Sequence, residues 1–201
     1  MAYGSYDGAL RELIHLLKYN RVRPAANVLG SKLAEAFVQL ESEFGSHQVL
    51  VIPVRLYKGK RRQRGFNQAE LISQEALKDS DHRRMLLATN ILLRTRETQS
   101  QIGLTSHQRR ENMRGAFAIA SGADVTGREI VLVDDVYTTG TTATECAKVL
   151  RRAAAGKVWV ATVARTLKLA SNIGSFNVSK FQGFKDTGAA DDFEHVETLT
   201  R

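Results

Sequence analysis

Apolar residues fall in two kinds of pattern along the chain, and the alternation between them predicts the architecture. Continuous apolar runs stand at Val49-Leu50-Val51-Ile52 and at Ile130-Val131-Leu132-Val133, and a nearly continuous one from Val158 to Arg165. Short, rich in β-branched residues and bounded by turn residues, they read as buried strands of a parallel sheet, and Ile91-Leu92-Leu93 reads as a short strand. A further strand follows Gly115-Ala116-Phe117. Between the runs the apolar spacing becomes helical. Leu10, Leu13, Ile14 and Leu17 form a stripe within Tyr6–Tyr19, with Arg11, Glu12 and Lys18 outside it. Pro24 opens a second helix carrying Val28, Leu29, Leu33, Ala36, Phe37 and Leu40. Both N-terminal helices are expected to be packing elements and nothing more.

Helices are also predicted over Gln68–Lys78, with Asn67 as N-cap and Glu70 three residues on, over Thr105–Met113, and over Ala143–Ala155. Asp79–Arg84 reads as a charged connector, and Arg94–Leu104 as a long polar loop of the kind found at functional sites. Strand–helix alternation with short turns predicts an α/β fold: a mostly parallel sheet flanked by helices and joined by right-handed crossovers. The pattern holds over 1–166 and breaks over 167–201, which reads as an irregular appendage.

Composition changes this picture little. A chain of 201 residues suits one domain. No apolar run reaches membrane-spanning length, so no membrane insertion is expected, and Met1–Asn20 lacks a signal-peptide layout. The single Cys146 allows neither an internal disulfide nor a cysteine-based zinc site here, so a cytoplasmic setting is expected. Charge is more informative. The net value is +8, while residues 167–201 hold four basic and five acidic side chains, so the surplus lies in the body. Such a body suits nucleic acid or a polyanionic small substrate.

The chemistry concentrates after Val133. Asp134 and Asp135 stand where the strand is expected to leave the sheet. Tyr137 then precedes four threonines around one glycine, Thr138, Thr139, Gly140, Thr141 and Thr142. Backbone amides of that loop can curl into a nest at a helix N-terminus, which attracts phosphate. Gly140 allows close backbone approach, and no lysine supplies a Walker pattern. The carboxylates suit a polyol or a divalent cation accompanying a polyphosphate. After Pro53, six cationic side chains crowd ten residues: Arg55, Lys58, Lys60, Arg61, Arg62 and Arg64. They read as a basic loop that shares the acidic pair's rim if the strands are parallel.

IVLVDDVYTTGTT resembles the phosphoribosyl-pyrophosphate motif of type I phosphoribosyltransferases, and implies that fold. By this resemblance Thr138, Thr139, Gly140, Thr141 and Thr142 take the 5′-phosphate. Asp134 and Asp135 hold the ribose hydroxyls, stand near the developing charge as catalytic residues, and hold Mg²⁺ directly or through water. Arg64-Gly65-Phe66-Asn67-Gln68 resembles the pyrophosphate-side loop of the ComF branch, which gives Arg61, Arg62, Arg64 and Gly65 to pyrophosphate. The succession Arg94, Arg96, Thr98, Gln101, Gly103-Leu104, Arg109, Asn112 and Gly115-Ala116-Phe117 is similar to ComF as well. It makes Arg94, Arg96 and Arg109 candidates for a lid.

The resemblance spans Tyr6–Thr166. ComF sequences usually begin with a cysteine-based zinc-binding segment, for which this sequence has no counterpart. The activity implied is transfer of phosphoribosyl from phosphoribosyl pyrophosphate to a nitrogenous acceptor. Salvage enzymes for 6-oxopurines commonly carry aspartate where this chain has Thr138, which argues against hypoxanthine or guanine as the acceptor. The alternative is a competence protein acting in DNA uptake as a binding module, with single-stranded DNA or competence proteins as partners. Against a single-strand platform, the basic loop carries few aromatics, Tyr57 and Phe66. A transcriptional regulator is a third reading, but no DNA-reading helix is evident. The oligomeric state stays open, a homodimer included.

Overall fold

The computed structural model describes residues 1–78, 83–99 and 103–166. The expected appendage, 167–201, lies outside the described residues, as do part of the charged connector and residues 100–102 of the long loop.

Five strands form one sheet in which every pairing is parallel: β1 (Ala2–Ser5), β2 (Val49–Pro53), β3 (Met85–Leu87), β6 (Ile130–Tyr137) and β7 (Val158–Arg165), in the order β1-β7-β6-β2-β3. A second, two-stranded antiparallel sheet joins β4 (Leu92–Arg94) to β5 (Phe117–Ile119). The helices are α1 (Gly8–Tyr19), α2 (Ala25–Leu40), α3 (Lys58–Arg64), α4 (Gln68–Lys78), α5 (Ser106–Met113) and α6 (Thr141–Arg152). The expected α/β architecture, with two N-terminal helices and a mostly parallel sheet flanked by helices, is therefore present.

Alternation along the central strands divides the core. Val131 and Val133 face a cluster with Ile14, Leu29, Leu33, Phe37 and Ile72, drawn from α1, α2 and α4. Ile130 and Leu132 face the other cluster, with Cys146, Ala147 and Leu150 of α6 and Leu92, Met113 and Phe117 beyond it. Cys146 and Trp159 are core residues, as expected. Helix α2 packs so closely on α4 that a Cβ on Gly30 would lie 2.4 Å from the Cβ of Glu75.

Several elements differ from the sequence reading. Strands β1 and β3 were not expected, because both are short edge strands with little alternation to reveal them. The basic segment is not a loop but α3, stopped by Gly65 in the left-handed conformation (φ 85°), whose N–H donates to the Arg61 carbonyl. Asn67 does not cap α4 through its side chain: its Nδ2 donates to the Val54 carbonyl at 3.1 Å, and its Oδ1 is buried without a partner. Thr105, by contrast, closes a full capping box with Gln108 at the start of α5.

Candidate functional site

The strand order places the site. From β2 the chain moves outward through α3 and α4 to β3, and from β6 it moves the opposite way through α6 to β7. Adjacent parallel strands whose connections diverge open a crevice at their carboxyl ends. Pro53 pairs with Val133, so α3 and the threonine loop emerge on the same rim of the sheet.

The acidic pair does not mark the strand's exit, because β6 continues to Tyr137 in register with Arg165. Both aspartates therefore obey strand alternation and point to opposite faces. Asp134 is half-buried and lines a concavity of about 250 Å³ together with Tyr137, Thr138, Gly140, Thr141 and Thr142. Asp135 is buried on the side of α1 and α4. Its Oδ2 is paired with the ammonium of Lys18, and its Oδ1 accepts from Gln68 Nε2 at 3.3 Å.

The electrostatics differ accordingly. Burial raises the pKa of Asp134 well above the carboxylate range, and the adjacent Asp135 charge adds to that. Burial also pushes Asp135 upward, but the charge and hydrogen bond of Lys18, with further hydrogen bonds from Asp134 and Gln68, together hold this carboxyl below its usual value. For Lys18, desolvation opposes the charge, and Asp135 reverses the outcome, so its pKa is raised.

The loop is built for close approach. Gly140 adopts φ 73°, and a Cβ there would lie 2.3 Å from the Tyr137 hydroxyl. Its carbonyl starts α6 by accepting from the Thr144 amide at 2.8 Å. Thr139 and Thr141 join hydroxyls at 2.9 Å, and the Thr166 amide donates to the Tyr137 carbonyl at 2.9 Å. Thr138 and Thr139 are exposed, whereas Thr141 is buried. Amides in the first turn of a helix point outward along its axis, here toward the concavity. Behind it lies the Thr162 hydroxyl, 1% exposed and without a hydrogen-bond partner.

The arginines separate into distinct roles. Arg61 and Arg62 are exposed on the last turn of α3. Arg64 is half-buried, donates to Gln68 Oε1 at 2.6 Å, and has its pKa lowered by burial against the opposing charge of Asp135. Arg94 bonds the Thr98 hydroxyl and lies over the Phe117 ring; burial lowers its pKa while Asp134 opposes the shift. Arg96 instead donates to the carbonyls of Asn112 (3.0 Å) and Arg114 (2.6 Å), and Arg109 Nε to that of Leu104 (3.0 Å). Those two arginines tie the segment to itself rather than reaching the concavity.

The sequence reading missed Lys18 and Gln68. The expectation that α1 only packs is corrected by Lys18, which reaches the acidic pair. A signal existed: Lys18 lies four residues after Ile14 and Gln68 four before Ile72, so both are polar residues in register with a buried face.

For Mg²⁺, among the described residues no group of three or more acidic, histidine or cysteine side chains converges. The half-buried Asp134, open to the concavity, fits an ion bound through one carboxylate, water and ligand phosphates. Asp135, engaged by Lys18, does not turn to that side here.

Fold and site together define an α/β protein with a threonine-rich loop at a helix N-terminus and an acidic side chain at a sheet's carboxyl rim. Across 156 residues the sequence is 36% identical to competence protein F of Haemophilus influenzae, covering 77% of this chain and 60% of that protein. It is 34% identical over 163 residues to the DNA utilization protein YhgH of Escherichia coli O157:H7, covering 81% and 70%. The chain belongs to this competence protein F (ComF) family, and spans between 60% and 70% of the length of these two relatives. No protein-family model matches. Among solved structures, a hypoxanthine phosphoribosyltransferase from Staphylococcus aureus overlays 71% of this chain and 69% of its own, with a TM-score of 0.42 and 13% identity. Among the described residues, no helix is long and apolar enough to cross a membrane.

Proposed function

We propose that the protein binds phosphoribosyl pyrophosphate with Mg²⁺ and transfers its phosphoribosyl group to a nitrogenous acceptor. The observation that carries this reading is the parallel pairing of β2 with β6, which sets basic α3 beside the concavity of Asp134 and the threonine loop. In the reaction the anomeric carbon loses its bond to pyrophosphate and gains one to the acceptor nitrogen, which sheds a proton. The amides of residues 138–142 hold the 5′-phosphate. Asp134 faces the ribose and the charge that develops on its ring. Arg61, Arg62 and Arg64, with the Gly65 turn, offset charge on the departing pyrophosphate. Mg²⁺, when bound, neutralises phosphate charge next to Asp134. Calorimetric titration with phosphoribosyl pyrophosphate and Mg²⁺ tests the reading. Binding is expected, weakened at least tenfold by Asp134→Ala; no heat, or unchanged affinity in the variant, rejects it.

A second reading is favoured by a different observation and by the relatives' names, competence protein and DNA utilization protein. Tertiary contacts supply the basic helix with aromatics that its own sequence lacks. Tyr19 is 62% exposed, is tilted against His15 with ring centroids 4.6 Å apart and lies 6.0 Å below Arg64, while Arg21 bonds the Gln63 carbonyl at 2.6 Å. An exposed ring among guanidinium groups suits single-stranded DNA. Salt-dependent retention that phosphoribosyl pyrophosphate does not displace supports this reading, and its absence at low salt removes it.

A further inference from the structure

Each aspartate of the motif has a cation on its own face of the sheet. Arg94, from β4, stands on the Asp134 side, and Lys18, from the last turn of α1, touches Asp135. The second contact is the closer and more enclosed, with side-chain exposures of 18% for Lys18 and 6% for Asp135. It also continues. Asp135 Oδ1 accepts from Gln68, and Gln68 Oε1 accepts from Arg64, so a polar chain runs from α1 beneath the rim to the end of α3. An ionised carboxylate in that setting is costly unless a cation meets it. A helix serving only to pack would carry an apolar residue four positions after Ile14.

We propose that Lys18 is a positioning residue for the acidic pair: on the α1 face, to which strand alternation sends Asp135, it keeps that carboxylate ionised and in the one orientation that accepts from Gln68. Through Gln68 the same contact sets the direction of Arg64, joining the acidic and basic halves of the rim. The ligand's identity here rests on the phosphoribosyl pyrophosphate reading; the action of Lys18 on Asp135 does not.

The test uses the full chain with Lys18→Met, Lys18→Arg, Asp135→Asn and the Lys18→Met/Asp135→Asn double variant. The first readout needs no ligand. Crystal structures are expected to show the Asp135 carboxylate turned out of its contact with Gln68 in Lys18→Met and kept in it in Lys18→Arg; an unmoved carboxylate in Lys18→Met overturns the proposal. The second is calorimetric titration with phosphoribosyl pyrophosphate and Mg²⁺. Lys18→Met and Asp135→Asn are each expected to weaken binding on the order of 10–100-fold, the range for partners that orient ligand-contacting groups. Lys18→Arg restores most of that, and the double variant binds no worse than Asp135→Asn. Additive losses overturn the proposal, as does wild-type or tighter binding by Lys18→Met, the result expected if α1 blocked the site. Should Lys18→Met fail to fold, the double variant leaves no unpaired buried charge, and a further loss relative to Asp135→Asn overturns the proposal on its own. Absence of wild-type binding would reject the ligand reading and leave the crystallographic comparison to decide on Lys18.

Discussion

Two neighbouring carboxylates on one strand have opposite thermodynamic signs. Asp134 has a raised pKa in the fold, so the folded state holds its proton more tightly than the unfolded chain does. Between the ordinary carboxylate value, about 4, and that raised one, this group makes stability fall as pH rises. Asp135 has a depressed pKa, so its contribution is complete above the ordinary value and is lost as pH falls through the folded one. Asp134→Asn is therefore expected to raise the urea midpoint at pH 8 and to flatten the decline from pH 4 upward. Asp135→Asn strands Lys18 and is expected to cost roughly 3–5 kcal/mol at the same pH. Urea unfolding of the three proteins at pH 4 and pH 8 decides, and equal effects of the two substitutions would contradict this assignment. A side chain that lowers stability while facing a concavity is what a ligand-contacting group looks like.

At the scale of elements, the threonine loop depends on one backbone conformation. Gly140 is required twice over, by φ 73° and by the Tyr137 hydroxyl in the space a Cβ would take. Gly140→Ala is expected to cost at least about 1–2 kcal/mol from the left-handed conformation alone, and more from displacing the tyrosine. Because the change lies in the loop, phosphate-ligand affinity should fall further than global stability; circular dichroism melts beside calorimetry measure both. How legible these elements were depended on periodicity. Strands β2, β6 and β7 could be read from their apolar runs, because both of their faces are buried, and helices α1, α2, α4 and α6 from apolar spacing, because each buries one face. Helix α3 could not. Its residues are KGKRRQR, with no apolar face, and it is helical because Gly65 closes its end and the α1–α2 turn packs on it through Arg21. The Asn67 cap failed for a related reason: the amide found a better partner in the Val54 carbonyl just beyond β2.

For the molecule as a whole, positive charge gathered at one rim matters more than net charge. If single-stranded DNA lies along α3 with about four phosphates neutralised, the logarithm of affinity should fall against the logarithm of salt with a slope near −3. Replacing Arg61 and Arg62 together should reduce that slope by about 1.4, as read by fluorescence anisotropy across a salt series. An unchanged slope would place the DNA elsewhere on the protein.

The amino-acid sequence by itself determined the fold class, the central strands, the threonine loop and the family. Each of these is written in local spacing or in contiguous residue types, and such patterns survive without knowledge of contacts. Tertiary structure alone decided how the acidic pair is used. Strand continuation past Val133 sends neighbouring carboxylates to opposite faces, and parallel pairing brings the basic helix to the same rim. A lysine more than a hundred positions away then claims Asp135, because a buried charge selects its partner by proximity in space, which linear order does not encode.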